Sequence, residues 1–142
     1  MSKSVWISMI KKDEAAAQAV YKMISGYGLG VSGHFWKDDP ENMQWAGAVS
    51  EVAAKTNGLW LIVGDNGDFT PSVLRGLSLL ALSVQAQKAA WLPVMILTDD
   101  PEGLGEKLPT PLAGAQVFSP DNPALGAKIT AKANLPLKSL AA

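Results

Sequence analysis

The sequence predicts an α/β domain of three layers (α/β/α) on a five-stranded parallel sheet of order 2-1-3-4-5. Three observations carry that prediction. Short apolar runs alternate with longer segments of helical periodicity along 142 residues, the signature of repeated strand–helix units. Leu59-Trp60-Leu61-Ile62-Val63 and the stretch Trp91 to Leu97 are apolar on both faces, as central parallel strands covered on two sides are. No internal repeat or low-complexity tract interrupts the pattern, so residues 1–134 read as one domain and 135–142 as a tail.

The elements follow in order. Val5-Trp6-Ile7-Ser8-Met9-Ile10 reads as the first strand. Lys12-Asp13-Glu14 opens a helix whose first-turn acids suit the helix dipole. Ala16, Val20, Met23, Ile24 and Tyr27 fall on one helical face. Gly26 and Gly28 offer a stop, because glycine accepts the left-handed cap conformation. Leu29 to Phe35 is a second strand, weakened by Gly30 and Gly33. Asp39-Pro40 supplies an N-cap and a first-position proline for the next helix. Its apolar face is Trp45, Val49 and Val52 with Ala46 and Ala53, and Asn57-Gly58 closes it.

Leu59 to Val63 is the third strand, and Gly64-Asp65-Asn66-Gly67-Asp68 a loop. A long helix runs from Thr70-Pro71 to about Lys88, with Val73, Leu77, Leu80, Ala81 and Val84 as its core face. Leu79, Leu82 and Ala86 form a second apolar face, and a helix apolar around most of its girth is covered on more than one side. The C-terminal tail or a second subunit would supply that cover, and the subunit is favoured. Trp91 to Leu97 is the fourth strand, followed by the loop Thr98-Asp99-Asp100-Pro101. Ala115 to Phe118 is the last strand, and Asp121-Asn122-Pro123 caps a final helix to about Ala133. Crossovers in such a chain are right-handed.

Composition narrows the chemistry. Twelve basic residues against thirteen acidic ones give a formal net charge of −1, which lacks the electrostatic footprint of a nucleic-acid binder. With no cysteine there are no disulfides, thiol nucleophiles or cysteine metal sites. His34 is the one histidine, so no His–His metal pair exists, and neither metal nor cofactor is expected. Hydrophobic residues at 48% and charged ones at 18% argue against disorder. No run approaches the ~20 apolar residues of a membrane span. The opening Met1-Ser2-Lys3-Ser4-Val5 leads straight into a strand without a signal-peptide pattern. The expectation is a cytoplasmic protein.

In this architecture ligands sit outside the carboxyl ends of the strands, where neighbouring loops diverge. The residues expected to rim that crevice are Ser8, Lys11, Asp65, Asn66, Asp68, Thr98 and Asp99. Asp65, at the end of the central strand, either contacts a ribose, accepts a phosphoryl group, or organises the Asn66-Gly67 turn. A receiver-like phospho-acceptor would need an acidic pair after strand one and a lysine after the last strand. Here Ser8-Met9-Ile10-Lys11 and Phe118-Ser119-Pro120 stand there instead. No dinucleotide fingerprint or Walker loop occurs in the right context. His34-Phe35-Trp36-Lys37-Asp38 combines aromatics and charge. It stacks a ring, binds a partner, or folds back on the sheet edge.

These segments together resemble a TIR (Toll/interleukin-1 receptor) domain of the bacterial or TIR-like kind, itself flavodoxin-like in fold. Val5-Trp6-Ile7-Ser8 resembles the family's opening "VFIS" strand, and Lys12-Asp13-Glu14 the "KDE" that often follows. Gly28-Leu29-Gly30-Val31 is similar to the entry of its second strand. Trp45 with Ala46, Ala48 and Val49, and then Asn57 through Asn66, resembles the helix and strand that end in "VVLS". Leu92-Pro93-Val94-Met95-Ile96-Leu97 resembles "VIPVLL". Ser72-Val73-Leu74-Arg75-Gly76-Leu77 falls where the family carries a "WCxxEL"-like segment, which places Gly76 at the position of the glutamate used by NAD-cleaving members. Lys37-Asp38-Asp39-Pro40-Glu41-Asn42 keeps only part of the "RDxxPG" loop of receptor types.

The resemblance therefore implies a self-associating interaction or signalling module without the NAD-cleaving carboxylate. Its surface would be His34, Phe35, Trp36, Lys37 and Asp38 together with Leu79 and Leu82. Its partner would be a second copy or another protein. The alternative is a nucleotide- or nucleoside-binding enzyme or sensor using the crevice, with Asp65 as nucleophile if it is an enzyme.

Overall fold

The structure is a computed structural model that describes residues 4–11, 13–36, 52, 57–88, 90–112, 114–134 and 138–139. The helix expected from Asp39-Pro40 onward, and Lys37 and Asp38 of the aromatic segment, lie outside the described residues, Val52 excepted.

Five parallel strands form the main sheet: β1 (Ser4–Met9), β2 (Gly30–Phe35), β3 (Asn57–Val63), β5 (Val94–Leu97) and β6 (Gln116–Phe118). Their spatial order is β2-β1-β3-β5-β6. Counting only these strands, that is the expected 2-1-3-4-5. The helices whose full extent lies in the described residues are α1 (Glu14–Ser25), α2 (Pro71–Lys88), α3 (Pro101–Lys107) and α4 (Leu125–Asn134). Among the described residues, single-turn 3-10 segments occupy Asn66–Asp68 and Thr110–Leu112.

Strand alternation divides the core. Val5, Ile7 and Met9 of β1 face one way, with Leu59, Leu61, Val63, Met95 and Leu97 beside them. Ile24 of α1 and Leu125, Ile129 and Ala133 of α4 cover that side. Trp6 and Ile10 face the other way, with Trp60, Ile62 and Ile96. There the cover is Val73, Leu74, Leu77, Leu80, Ala81 and Val84 of α2, with Leu104 of α3. Both faces of β1, β3 and β5 are dry, which explains why these strands read as continuous apolar runs.

The local signals of α1 act as expected. The Asp13 carboxylate caps the helix by accepting from the Ala16 N–H at 3.1 Å. Gly28, at φ 79°, takes the left-handed turn that follows it.

Two expectations need correction. The run from Trp91 to Leu97 is not one strand. Ala90–Trp91 forms a separate two-residue strand, β4, paired antiparallel with β7 (Lys138–Ser139) from the tail that the sequence left unassigned. Only Val94–Leu97 enters the main sheet. Pro93 lies at the break: it has no N–H to donate, and its carbonyl accepts from the Trp60 N–H at 2.9 Å. The second correction is α3, which begins within the predicted loop Thr98-Asp99-Asp100-Pro101. Asp100 caps it, accepting from the Gly103 N–H at 3.1 Å, and Pro101 holds the first helical position.

The second apolar face of α2 stands open among the described residues, with Leu79 37% and Leu82 51% exposed. No helix among the described residues is long and apolar enough to cross a membrane.

Candidate functional site

The carboxyl ends of β1, β3 and β5 meet on the α1–α4 side of the sheet. The N–H groups of Ile10 and Lys11 both point to the Val63 carbonyl, at 2.7 and 3.3 Å. That shared bond carries Lys11 across the end of β3. Gly64 continues β3 by donating to the Leu97 carbonyl at 3.1 Å. It must be glycine, because an added Cβ would lie 2.9 Å from the Ile10 Cβ and 3.2 Å from the Phe69 ring.

Asp65 then leaves the sheet. Its N–H donates to the Asp68 carboxylate at 2.9 Å, and its carbonyl accepts from the Asp68 N–H at 2.9 Å. This small ring fixes the Asn66-Gly67 turn through the Asp68 carboxylate and the Asp65 backbone. The Asp65 carboxylate meets the Lys11 ammonium at 3.1 Å, with the two side chains 45% and 42% exposed.

The loop after β3 is tied to the loop after β5. The Asn66 N–H donates to Asp99 at 2.7 Å, and its side-chain amide to Asp100 at 3.1 Å. The Lys107 ammonium donates to the Asn66 carbonyl at 3.1 Å. Thr98 is buried, and its hydroxyl donates to Asp99 at 3.3 Å. The Asn66 N–H holds the Asp99 carboxyl below its ordinary value, assisted by the Thr98 hydroxyl and the charge on Lys11. The hydrogen bond and charge of Asp65 push the Lys11 ammonium up from its ordinary value, and the charges of Asp13 and Asp68 add to this.

Behind this rim lies a cavity of about 250 Å³. Ala16, Ala19, Val20 and Met23 of α1 form one wall. Val63, Leu97, Pro120 and Leu125 form the floor and far side, and Lys11, Asp65 and Thr98 supply the polar groups. The sequence placed Lys11, Asp65 and Thr98 at this edge, and the structure brings them together. Asn66, Asp68 and Asp99 brace them from outside the lining. The α1 wall was missed, since Ala16, Val20 and Met23 read only as core. Their small and flexible side chains leave the space between helix and sheet unfilled.

Ser8 does not belong to the crevice. It shares the face of Trp6 and Ile10, opposite the cavity, and is fully buried. Its oxygen accepts from the Trp60 indole N–H at 2.9 Å, and its hydroxyl lies 2.7 Å from Nε2 of His34. With the oxygen already accepting from Trp60, a Ser8 hydroxyl that donates to Nε2 satisfies both groups. A Ser–His contact of this length is the start of a nucleophile–base pair. Here the hydroxyl has no exposed surface, and the pair is structural.

The expected aromatic surface is also mostly interior. Trp36 is 4% exposed. His34 stands edge-on between the rings of Trp6 and Trp36, with centroids 5.3 and 6.0 Å away. The indole nitrogens of Trp6 and Trp36 are buried without a hydrogen-bond partner among the described residues, unlike that of Trp60. Among the described residues of this group Phe35 is 40% exposed and His34 is half-buried. The reason is register: Phe35 pairs with Met9, and the next residue, Trp36, turns its ring under α2.

Among the described residues no group of three or more His, Cys, Asp or Glu could hold a metal ion.

No protein-family model and no curated protein matches the chain. Among solved structures it is similar to a 3-dehydroquinate dehydratase-like protein from Bifidobacterium longum, with a TM-score of 0.51 and 16% identity over 94% of this chain and 96% of that one. This likeness shows the three-layer α/β fold.

Proposed function

We propose that this chain is a small-molecule-binding module and that the strand-end cavity holds a ligand of nucleoside size. The observation that carries the reading is the coincidence of the cavity with the edge where this topology places ligands. Its walls are apolar and its polar groups converge at one end, the usual division between affinity and orientation in a ligand site. A volume of about 250 Å³ falls just under the ~300–1,000 Å³ of pockets that enclose drug-sized molecules. A dinucleotide is too large for it. A single base with its sugar suits it, the base against Val20, Met23 and Leu125 and a sugar hydroxyl at Asp65 or Thr98. The reading is one of binding: among the described residues the lining supplies one carboxylate, already paired with Lys11, whereas glycosidic-bond chemistry draws on two.

Thermal denaturation with adenosine, guanosine, cytidine and uridine tests this. A hundredfold excess over Kd stabilises the folded state by about 2.7 kcal/mol, a shift of several degrees for a chain of this size. Ala19→Phe, which fills the cavity from the α1 wall, abolishes the shift. If none of the four nucleosides moves the transition, the reading is wrong.

A second reading has its own observation. The open face of α2, with Leu79 and Leu82 exposed, supports a TIR-like interaction module that self-associates there. Light scattering distinguishes it: this reading expects a dimer or larger species that Leu79→Glu with Leu82→Glu returns to monomer.

A further inference from the structure

We infer that the cavity selects the uncharged nucleoside against its 5′-phosphorylated form. This rests on the binding reading above and adds the charge class of the ligand. The ground is the arrangement of ionised groups at the mouth. Lys11 is the one cation among the described lining residues, and the Asp65 carboxylate occupies it at 3.1 Å. Asp13, Asp65, Asp68 and Asp99 all lie within electrostatic reach of that ammonium. Among the described residues one positive charge thus stands with four negative ones. The next cation along the rim, Lys107, is turned away onto the Asn66 carbonyl.

Three of these acids, Asp13, Asp68 and Asp99, are not readily swung aside. Asp13 caps α1, Asp68 holds the Asp65 N–H, and Asp99 holds the Asn66 N–H. Each carboxylate is fixed by the backbone it satisfies. A phosphate brought to the mouth would meet their field and would have to take Lys11 from Asp65 to find a counter-ion. It would also lose water against Val20, Met23 and Leu125 without gaining a hydrogen-bonding cradle. A sugar hydroxyl meets none of these costs. It donates to Asp65 without breaking the ion pair, since a carboxylate has lone pairs to spare. Like charge placed against like is a means of rejecting the wrong ligand, not only of accepting the right one.

Titration calorimetry at low ionic strength with adenosine, guanosine, cytidine, uridine and their 5′-monophosphates reads this directly. For whichever base binds tightest, the monophosphate binds roughly tenfold or more weaker. The gap narrows with added salt as the field is screened. It narrows also in Asp68→Asn and Asp99→Asn, where the amide oxygen keeps the backbone bond and only the charge is removed. A monophosphate that binds as tightly as its nucleoside, or tighter, overturns the selection while leaving the binding reading intact. A gap unmoved by salt and by both variants overturns its electrostatic cause. Failure of all eight probes overturns the binding reading itself, and the selection with it.

Discussion

Gly76 and Trp36 are in such close contact that a Cβ on Gly76 would lie 2.8 Å from Cζ2 of the indole. Gly76 is the position where the TIR resemblance places a catalytic glutamate. The space a side chain would need is filled by a tryptophan that is itself 4% exposed.

Gly76→Ala is therefore expected to destabilise the protein despite its better helix propensity. Overpacking costs about 1–3 kcal/mol, while replacing a helical glycine by alanine returns at most about 1 kcal/mol. Urea denaturation should show a net loss of about 1 kcal/mol, and Gly76→Glu a larger one. Gly76→Glu should also fail to cleave NAD, because its carboxylate enters the packed side of the sheet. Release of nicotinamide by that variant would contradict this placement.

Ser8→Ala removes the acceptor of the buried Trp60 indole N–H. A buried donor left unsatisfied costs about 1–3 kcal/mol, so chemical denaturation should show a loss in that range. Ser8→Ala combined with Trp60→Phe should cost less than the sum of the single changes, since the second removes the orphaned donor.

Asp99 couples stability to acid pH. Its folded-state value is depressed below the ordinary 3.8. Its contribution is thus present above pH 3.8 and is lost as the pH falls through the depressed folded value. The stability difference between wild type and Asp99→Asn should be present at neutral pH and disappear in acid. Lys11 runs the other way. Its value is raised above 10.5, so its contribution is present below that pH and is lost as the pH rises through the raised folded value. Both groups are exposed, so both effects should be small and sensitive to salt.

Leu79→Glu and Leu82→Glu should leave the stability of the single chain within about 0.5 kcal/mol, because neither side chain is buried in it. A large destabilisation of the single chain by either would mean that the chain itself covers this face.

Much of the fold was legible in the sequence because its signals were local. Leu59-Trp60-Leu61-Ile62-Val63 has nowhere to go but the centre of a covered sheet, and the Asp13 cap and the Gly28 turn act within a few residues. Asp100-Pro101 carries the same helix-start chemistry as Asp39-Pro40, yet the helical signal of α3 is weak because its seven residues include Gly103 and Gly105. The pairing of Ala90–Trp91 with the tail is long-range and leaves no local trace. At the site, Lys11, Asp65 and Thr98 followed from topology alone. Ser8 and Trp36 were misplaced because position along a strand was read without its parity. Trp6, Ser8 and Ile10 alternate onto the α2 side, so the signal that Ser8 points away from the crevice was present in the sequence. The cavity wall of α1 was not readable, since an alanine that packs and an alanine that leaves space look the same.

The most direct test of the strand-end site is the map of backbone amide chemical shifts on adding the nucleoside that gives the largest thermal shift. Changes are expected to concentrate at Lys11, Ala19, Val20, Gly64, Asp65 and Thr98, to saturate with a single Kd and to be absent in Ala19→Phe. Changes confined to α2, or none at saturating nucleoside, would contradict the strand-end site.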